Sequence, residues 1–340
     1  MSNDLLLKLV EMGGFMANIK DVAERSGVTV TTVSRVLNNR GYISDMTRQK
    51  VHKAMEELNY QPNEIARALL KRKSNLIGLI IPNVAHPFFA ELTSYIEYYA
   101  HKNGYKILLC NANKDSKKEK DYIDMLKSNQ VDGIVMGSHT LETAEYLNLS
   151  FPIVAIDRFL SKDIPFIASD NYNGGVLATK LLIEKGCRKI AHISGPLRLN
   201  TPANQRYKAF KDVANENNIP YVVTETKLNS FDKEEYERLI YKLLKEHSDI
   251  DGIFASSDLI ATCIIKVSNI LGKSIPDDLK IVGYDDISIA SLIVPPLTTI
   301  RQPIEKIAQL AIDSIINQVN GKKVNAESIL PIELIERKTT

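Results

Sequence analysis

The sequence predicts an all-α helix-turn-helix headpiece, a short connecting segment, and an α/β core of two doubly wound parallel-sheet subdomains. Two observations predict this architecture. Residues 19–37 hold two short helical patterns that are separated by a glycine. After Leu76, short apolar runs alternate with longer helical patterns, which is typical of parallel sheets with helices on both faces.

The headpiece begins with a helix whose apolar side chains recur at helical spacing. These side chains are Ile19, Val22 and Ala23. Gly27 stands where the following turn needs a left-handed backbone, which glycine adopts without steric cost. Thr29 is expected to cap a second helix, because a threonine side chain accepts from free backbone N–H groups. The buried face of that second helix is Val33, Val36 and Leu37.

The other face of the second helix carries short hydroxyls, one apolar side chain, one amide and one long planar donor. These residues are Thr29, Val30, Thr31, Thr32, Ser34, Arg35 and Asn38. Such a set suits base edges and phosphates in the major groove of duplex DNA. The alternative interpretation is an ordinary helical hairpin whose polar face meets solvent.

The connecting segment NEIARALLKRK follows a third helical pattern. It is too short to be stable alone, because isolated helices below about 12 residues are marginal in water. We expect it to be disordered away from DNA and to fold when paired with a second copy on DNA. The basic run at residues 71–73 either contacts phosphates or forms a solvated linker.

Charge is distributed unevenly along the 340 residues, although the net charge is only +2. Between Ala17 and Ser74 there are eleven lysines and arginines against six acids, so this part carries +5. A basic head on a slightly acidic body fits a phosphate-binding module joined to a sensor. The three cysteines are scattered, so reduced packing residues are expected instead of a disulfide framework or a metal site.

Eight candidate strands follow the connecting segment. They are residues 76–82, 105–111, 131–137, 152–157, 166–170, 189–195, 250–256 and 280–286. They fall into two sets that separate near residues 170–175, and we expect the chain to cross back near Ile300 and again near Leu330. The expected division is an N-terminal extension (1–16), the headpiece (17–62), the hinge (63–74), a first core subdomain (75–171 with 300–328) and a second (172–299 with 329–340).

Polar side chains collect where the predicted strands end, and ligands of open parallel sheets bind outside those carboxyl ends. The candidates are Phe88, Ser138, Asp157, Arg158, Asn171, Arg206, Ser257 and Asp285. Carboxylates and a guanidinium bind vicinal hydroxyls in pairs, and an aromatic ring stacks on an apolar sugar face, so a sugar is the expected ligand. The alternative is that each Asp or Asn merely caps the next helix.

The chain from Ile19 to Arg337 resembles the lactose-repressor (LacI/GalR) family of bacterial transcription regulators. The headpiece matches include Asp21 to Ala23, Gly27-Val28, Thr32 to Val36, Asn38, Tyr60, Pro62-Asn63, Ala66 and Leu69. By this resemblance, Val30 and Thr31 are specificity positions and Arg35 contacts a base. Tyr60 and Asn63 contact the DNA backbone. Leu69, with Ala66 on the same matched segment, enters the minor groove at the operator centre.

In the core, the resemblance implies a cleft for a small effector molecule. Phe88, Ser138, Asp157, Arg206 and Asp285 match its lining positions, and Phe231 and Ser257 match less closely. The run from Gly104 to His139 is most similar to the sucrose-operon repressor branch. A sugar phosphate stays open as the effector, since Arg158 either serves a phosphate or is a surface charge.

These observations predict a cytoplasmic, dimeric repressor that binds a palindromic operator and responds to a sugar of the sucrose type. Three other readings stay open: a carbon-catabolite regulator that recruits a phosphorylated carrier protein, a sugar-binding transport protein, and an enzyme. G-x-S-x-G, P-loop and H-E-x-x-H motifs are absent, which argues against an enzyme. No catalytic residue, cofactor or metal is expected, and no segment has the length and apolarity of a membrane span.

Overall fold

The computed structural model describes residues 17–61, 73–113, 115–138, 151–198, 201–227 and 232–340. The chain divides into two compact units, with the boundary between Ser74 and Asn75. The predicted extension (1–16) and nearly all of the predicted hinge (63–72) lie outside the described residues.

The described part of the first unit, residues 17–61, contains three helices, α1 (Ile19–Ser26), α2 (Val30–Leu37) and α3 (Asp45–Glu57). Gly27 ends α1 with φ 67°, as the turn requires. Thr29 caps α2, because its hydroxyl accepts from the backbone N–H of Thr32 at 3.2 Å. The helices share one apolar core, whose buried residues are Val22, Ala23, Val33, Val36, Val51 and Ala54.

The second unit contains two six-stranded sheets. The first sheet has the order β11-β5-β4-β3-β1-β2, and all its strands are parallel. Its strands are β1 (Leu76–Ile81), β2 (Lys106–Asn111), β3 (Gly133–Met136), β4 (Ile153–Ile156), β5 (Phe166–Ser169) and β11 (Glu327–Leu330). The helices of this half within the described residues are α4 (Pro87–Lys102), α5 (Ser116–Ser128) and α10 (Ile304–Val319).

The second sheet has the order β12-β10-β9-β8-β6-β7, and it is parallel except for β12, which pairs antiparallel with β10. Its strands are β6 (Ile190–Ser194), β7 (Tyr221–Glu225), β8 (Gly252–Ala255), β9 (Lys280–Asp285), β10 (Thr298–Arg301) and β12 (Glu333–Ile335). Its helices are α6 (Asn171–Glu184), α7 (Gln205–Glu216), α8 (Lys233–Glu246) and α9 (Asp258–Ile270).

The two halves are joined by three chain crossovers. The first follows β5, the second lies between β10 and α10, and the third lies between β11 and β12. Ile300 and Arg301 still pair with β9 of the second sheet, and Ile329 and Leu330 still pair with β5 of the first. The later two crossovers therefore come up to three residues after the predicted positions, because the chain leaves a sheet only where its ladder of hydrogen bonds ends.

All eight predicted strands are present, and four strands were not anticipated: β7, β10, β11 and β12. These are three to five residues long, and β7, β11 and β12 are at most half-buried. A short, partly exposed strand lacks the continuous apolar run that marks a buried parallel strand. The three cysteines are free and buried. None of the described helices is long and apolar enough to cross a membrane.

Candidate functional site

Helix α2 presents an exposed face that is rich in hydrogen-bonding groups. Val30, its first residue, is 40 % exposed, and Thr31 and Arg35 are exposed beside it. Arg35 is exposed, and its side chain makes no hydrogen bond or ion pair with any residue that the structure describes, so its five N–H donors are available to a ligand. This arrangement suits a helix that enters the major groove, where arginine donates to guanine.

Four other predicted DNA-binding side chains, on α2 and at its two caps, already bond within the headpiece. The hydroxyls of Thr29 and Thr32 lie 2.9 Å apart, and the Asn38 amide donates to the Ser34 carbonyl at 2.8 Å and to the Ser34 hydroxyl oxygen at 3.4 Å. These bonds orient the side chains but leave acceptor positions open. Tyr60 is partly buried against the headpiece core. The predicted contacts Asn63, Ala66 and Leu69 lie outside the described residues.

A cavity of about 230 Å³ opens between the two sheets of the second unit. Strand ends and loops from both halves line it, as expected for open parallel sheets. Five predicted effector residues are in its wall: Phe88, Asp157, Arg206, Ser257 and Asp285. The carboxyl ends of β1 and β4, with the loops that follow them, thus face the carboxyl ends of β6, β8 and β9 across one cleft.

Arg206 is the most extensively held charged side chain of this cleft. It lies in the first turn of α7 and is buried, with its guanidinium 3.5 Å from the centre of the Tyr284 ring. Its Nε donates to Oδ1 of Asn171 at 2.6 Å, and its Nη1 donates to the carbonyl of Ser256 at 2.7 Å. A guanidinium fixed on three sides offers its remaining N–H groups to the cavity in one direction.

Asp157 faces Arg206 from the first half. Its backbone is left-handed, with φ 52°, which is uncommon for a residue other than glycine. Burial raises the pKa of its carboxyl, against the opposing effects of Arg206 and Asn171. Its Oδ1 is buried and has no hydrogen-bond partner among the residues described. Buried polar atoms are nearly always satisfied, so this oxygen is a candidate acceptor for a ligand hydroxyl.

Asp285 ends β9 in the second half, with φ 118°. Its Oδ1 accepts from the amide nitrogen of Gln302 at 2.7 Å. Burial raises the pKa of its carboxyl from 3.8 to about 7, although Arg206 and the Gln302 hydrogen bond both favour the ionised form. Asp285 therefore changes its charge close to neutral pH.

A third acid, Asp258, lies behind Asp285 and is fully buried at the start of α9. It accepts from the hydroxyl of Thr299 at 2.5 Å and from the backbone N–H of Ile287 at 2.9 Å. Burial, and then the charge of Asp285, raise its pKa well above 3.8. Asp258 joins β10 to the segment after β9, which fixes the backbone that carries Asp285.

Two predicted effector residues do not line the cavity, and a third lies behind its wall. The Ser138 hydroxyl is buried and donates to the carboxylate of Glu119, and Nη1 of Arg158 donates to the carbonyl of Ser138 at 3.0 Å. This cluster supports the loop next to Gly137, which does line the cavity. Asn171 is buried behind the wall, where it holds Arg206. Phe231 lies outside the described residues.

Sequence reasoning did not single out several lining residues. These include His86, Ser194, Asn204, Thr226, Lys227, Tyr236 and Gln302. Ser194 ends a predicted strand, a position that sequence can mark. Gln302 lies in a connection with no strand-end pattern of its own, so only the fold brings it to the cavity.

Comparison with protein-family models finds two matches. Residues 18–63 match "Bacterial regulatory proteins, lacI family", and residues 179–340 match a periplasmic binding protein-like domain. The first match covers the three headpiece helices. The second covers most of the half that contributes Arg206, Ser257 and Asp285.

Two curated relatives are similar over almost the whole chain. The ribose operon repressor of Halalkalibacterium halodurans is 42% identical over 326 residues, which cover 96% of this chain and 97% of the relative. The sucrose operon repressor of Streptococcus mutans is 41% identical over 320 residues, covering 94% and 98%.

Two solved structures have the same fold. A periplasmic binding protein/LacI transcriptional regulator from Alkaliphilus metalliredigens, complexed with D-xylulofuranose, is 39% identical with a TM-score of 0.73, covering 78% of this chain and 99% of that one. The Lac repressor dimer bound to operator and an anti-inducer is 26% identical with a TM-score of 0.85, covering 96% and 99%.

Proposed function

This chain belongs to the LacI family of bacterial regulatory proteins, and from that premise we propose that it represses a carbohydrate-utilisation operon under the control of a small sugar. The observation that carries the proposal is Asp157, whose buried Oδ1 has no partner among the described residues and lies in the wall of the cleft. A ligand hydroxyl satisfies such an oxygen. DNA binding and ligand sensing then reside in separate units of one chain.

The DNA-binding part of the proposal rests on α2. Its exposed residues Val30, Thr31 and Arg35 read base edges, while Thr29 and Ser34 contact phosphates. Tyr60, Asn63, Ala66 and Leu69 extend these contacts towards the centre of a palindromic operator. A protein that acts on such DNA works in the cytoplasm.

A neutral sugar fits the cleft better than a sugar phosphate. Two buried carboxylates, Asp157 and Asp285, face one guanidinium, and Arg206 already donates to Asn171 and Ser256. Arg158, the other predicted phosphate ligand, donates to the Ser138 carbonyl away from the cavity wall. An added dianion would be repelled by the ionised acids, and among these three residues only the remaining N–H groups of Arg206 would offset that cost.

The volume of the cleft bears on which sugar it takes. About 230 Å³ lies below the range of about 300–1,000 Å³ that is usual for drug-sized ligands. This favours a monosaccharide such as ribose, xylulose or fructose over a disaccharide. Sucrose stays a named candidate, because a sucrose operon repressor is nearly as similar to this chain as a ribose operon repressor is.

We expect the active form to be a homodimer, since a palindromic operator mirrors the two-fold symmetry of its protein. Three exposed apolar side chains fall within one short segment after β9: Ile289, Leu292 and Val294. Contiguous exposed apolar surface commonly marks a protein interface.

The test is operator binding by fluorescence anisotropy, on a duplex selected from a random pool with the full-length protein. Titrations run at two salt concentrations, without sugar and with D-ribose, D-xylulose, D-fructose, sucrose or sucrose 6-phosphate. We expect tight, salt-sensitive binding to one palindrome and a shift of at least tenfold in affinity by one neutral sugar.

Each other outcome identifies a different function. DNA binding with no response to any sugar argues against the sugar effector and favours a protein corepressor of the phosphocarrier type. Sugar binding without sequence-specific DNA binding overturns the repressor assignment in favour of a transport or storage role. A shift by sucrose 6-phosphate alone contradicts the preference for a neutral ligand.

A further inference from the structure

Two lines of hydrogen bonds run from the charged side chains of the cleft to a single residue, Ser169. This serine is the last residue of β5, at the first crossover, and it is buried. It does not line the cavity. The sequence around it, FIASDN, carries no binding motif, so its place in these bonds is visible only in the fold.

The first line begins at Arg206. Its Nε donates to Oδ1 of Asn171 at 2.6 Å, and the Asn171 amide nitrogen donates to the Ser169 carbonyl at 2.9 Å. The Tyr284 hydroxyl, whose ring lies under the guanidinium, also approaches Asn171 Oδ1 at 3.4 Å. The position of Arg206 is therefore tied to the backbone of the first crossover.

The second line begins at Asp285. Its Oδ1 accepts from Nε2 of Gln302 at 2.7 Å, and Oε1 of Gln302 accepts from the Ser169 hydroxyl at 2.7 Å. Gln302 lies on the second crossover, directly after β10. Asp285 is thereby tied to both crossovers through one amide.

We propose that Ser169 is a positioning residue, which orients the two charged side chains of the effector cleft and links them to the crossovers between the subdomains. This inference rests on the proposed function, because it concerns how that cleft senses its sugar. Arg206 and Asp285 are in the second half, whereas Ser169 ends a strand of the first. A ligand that shifts the side chain of Arg206 or Asp285 therefore acts on the crossovers that connect the two halves.

The hydroxyl of Ser169 has a specific task, because a glutamine amide has one accepting end and one donating end. The Ser169 O–H group donates to Oε1 of Gln302, while the Asp285 carboxylate, which only accepts when ionised, binds the NH₂ end of the same amide. With both ends bound, the amide is held in place with its N–H groups towards Asp285. In Ser169→Ala the amide keeps only one of these two hydrogen bonds, and the carboxylate loses a charge-assisted donor whenever the amide turns away.

Loss of that donor alters the titration of Asp285. The charged groups that face it from the surrounding elements are Arg206 on α7, Asp157 after β4, Glu91 on α4 and Asp258 on α9. Only Arg206 is positive, so Gln302 is one of two groups that favour the ionised carboxylate. Without it, the pKa of Asp285 rises further above about 7.

The direction of the effect on stability follows from proton linkage. Folded Asp285 keeps its proton up to about pH 7, while the unfolded chain loses it near 3.8. The stability that Asp285 contributes is therefore fully present at a pH below its unfolded-state pKa of 3.8. It decreases as the pH rises and levels off above about pH 7, the folded-state pKa. In a variant in which the pKa of Asp285 is higher, stability continues to decrease up to a higher pH.

The first test needs no sugar. Thermal unfolding of the full-length protein is followed from pH 5 to 9 for the wild type, Ser169→Ala and Gln302→Leu. We expect the pH at which the unfolding temperature levels off to move upward by about one unit in both variants, since a hydrogen bond to a charged group shifts a pKa by that order.

Ser268→Ala is the matched control. Ser268 is also fully buried, but its hydroxyl has no hydrogen-bond partner among the described residues. Its removal should leave the pH profile of the wild type unchanged. Any effect of Ser268→Ala on the unfolding temperature should be the same at every pH. If Ser169→Ala and Gln302→Leu also lower the unfolding temperature by the same amount at every pH, the positioning role is wrong and Ser169 contributes only packing.

The second test measures D-ribose binding by calorimetry at pH 6.5 and 8.5. We expect Ser169→Ala to bind more weakly by about 3- to 10-fold at pH 6.5 and to recover affinity at pH 8.5, because ribose hydroxyls donate to the ionised carboxylate. If the wild type binds no ribose while the unfolding profiles shift as expected, the choice of sugar fails and the inference stands. If ribose binds and neither profile depends on Ser169, the inference fails and the proposed function stands.

Discussion

At the scale of single residues, side-chain pairing distinguishes two exposed arginines of the headpiece. Arg35 is exposed and has no side-chain partner among the described residues, whereas Nε of Arg25 donates to the Glu57 carboxylate at 2.6 Å. An arginine without a partner on a recognition helix can turn towards a base without breaking a hydrogen bond or an ion pair within the protein. An arginine that pairs across two helices supports the headpiece itself, although such exposed pairs contribute little.

Arg35→Ala is expected to weaken operator binding by about 10- to 100-fold, since a bidentate base contact contributes about 1–3 kcal/mol. The thermal stability of the headpiece should change little, because the side chain is exposed and makes no hydrogen bond or ion pair with a described residue. Arg25→Ala is the control: it removes the same charge and should leave sequence discrimination intact. Equal losses of specific binding in both variants, measured by anisotropy, would mean that Arg35 acts only through charge.

Arg206 illustrates why a conservative change can be severe at a buried site. Its planar group stacks on Tyr284 at 3.5 Å and donates to Asn171 and Ser256. A lysine keeps the positive charge but can neither stack as a plane nor donate along both directions.

We therefore expect Arg206→Lys to reduce sugar affinity by at least about 10-fold, through loss of one or two charge-assisted hydrogen bonds. Operator binding without sugar should persist, since α2 lies in the other unit. Calorimetry with the sugar that releases the operator gives the comparison. Wild-type affinity in the lysine variant would show that only the charge of Arg206 matters.

At the scale of elements, the cleft depends on the close packing of α6 against α7. A Cβ atom on Gly175 of α6 would lie 2.6 Å from the carbonyl oxygen of Arg206 and 2.8 Å from Cβ of Ala209. The helices can approach this closely because Gly175 has no side chain, and the approach sets where Arg206 begins α7.

Two opposing effects decide the outcome of Gly175→Ala. Alanine in a helix is favoured over glycine by about 1 kcal/mol, whereas overpacking a filled contact costs about 1–3 kcal/mol. The contact is with backbone, which cannot rotate away, so we expect net destabilisation in urea unfolding together with weaker sugar binding. Gly195→Ala, whose Cβ would meet nothing within 4 Å, should not destabilise. A more stable Gly175→Ala would indicate that the two helices can separate at little cost.

At the scale of the whole molecule, dimerisation decides how tightly two headpieces hold one operator. Leu292 and Val294 are 75 % and 84 % exposed, although both are large apolar residues. A charge placed inside an apolar interface is costly, while the same charge on a free surface is tolerated.

Leu292→Asp is accordingly expected to weaken self-association by at least about 100-fold in analytical ultracentrifugation, and to weaken operator binding in parallel. Met125→Asp, on α5, introduces the same charge at another partly exposed apolar site and serves as the control. If Leu292→Asp remains dimeric at the concentration at which the wild type is dimeric, the interface lies elsewhere on the chain.

Local patterns were sufficient for the elements and for part of the site. The helices of the headpiece follow from apolar spacing, with Gly27 and Thr29 at their ends. The eight predicted strands follow from apolar runs, and five cleft residues follow from their positions after strand ends. Each of these inferences concerns residues that are close in the chain, where backbone geometry and side-chain periodicity act directly.

The sequence by itself therefore determined the family and the fold class, because these depend on short motifs and on strand–helix alternation. Only the tertiary structure decided which polar groups meet. Ser169 and Gln302 are 133 residues apart, and their hydrogen bond leaves no trace in either neighbourhood of the sequence. Asp258 likewise became a support for Asp285 only when β9 and β10 paired. Hydrogen bonds between distant segments depend on how strands are ordered in a sheet, and no local pattern encodes that order.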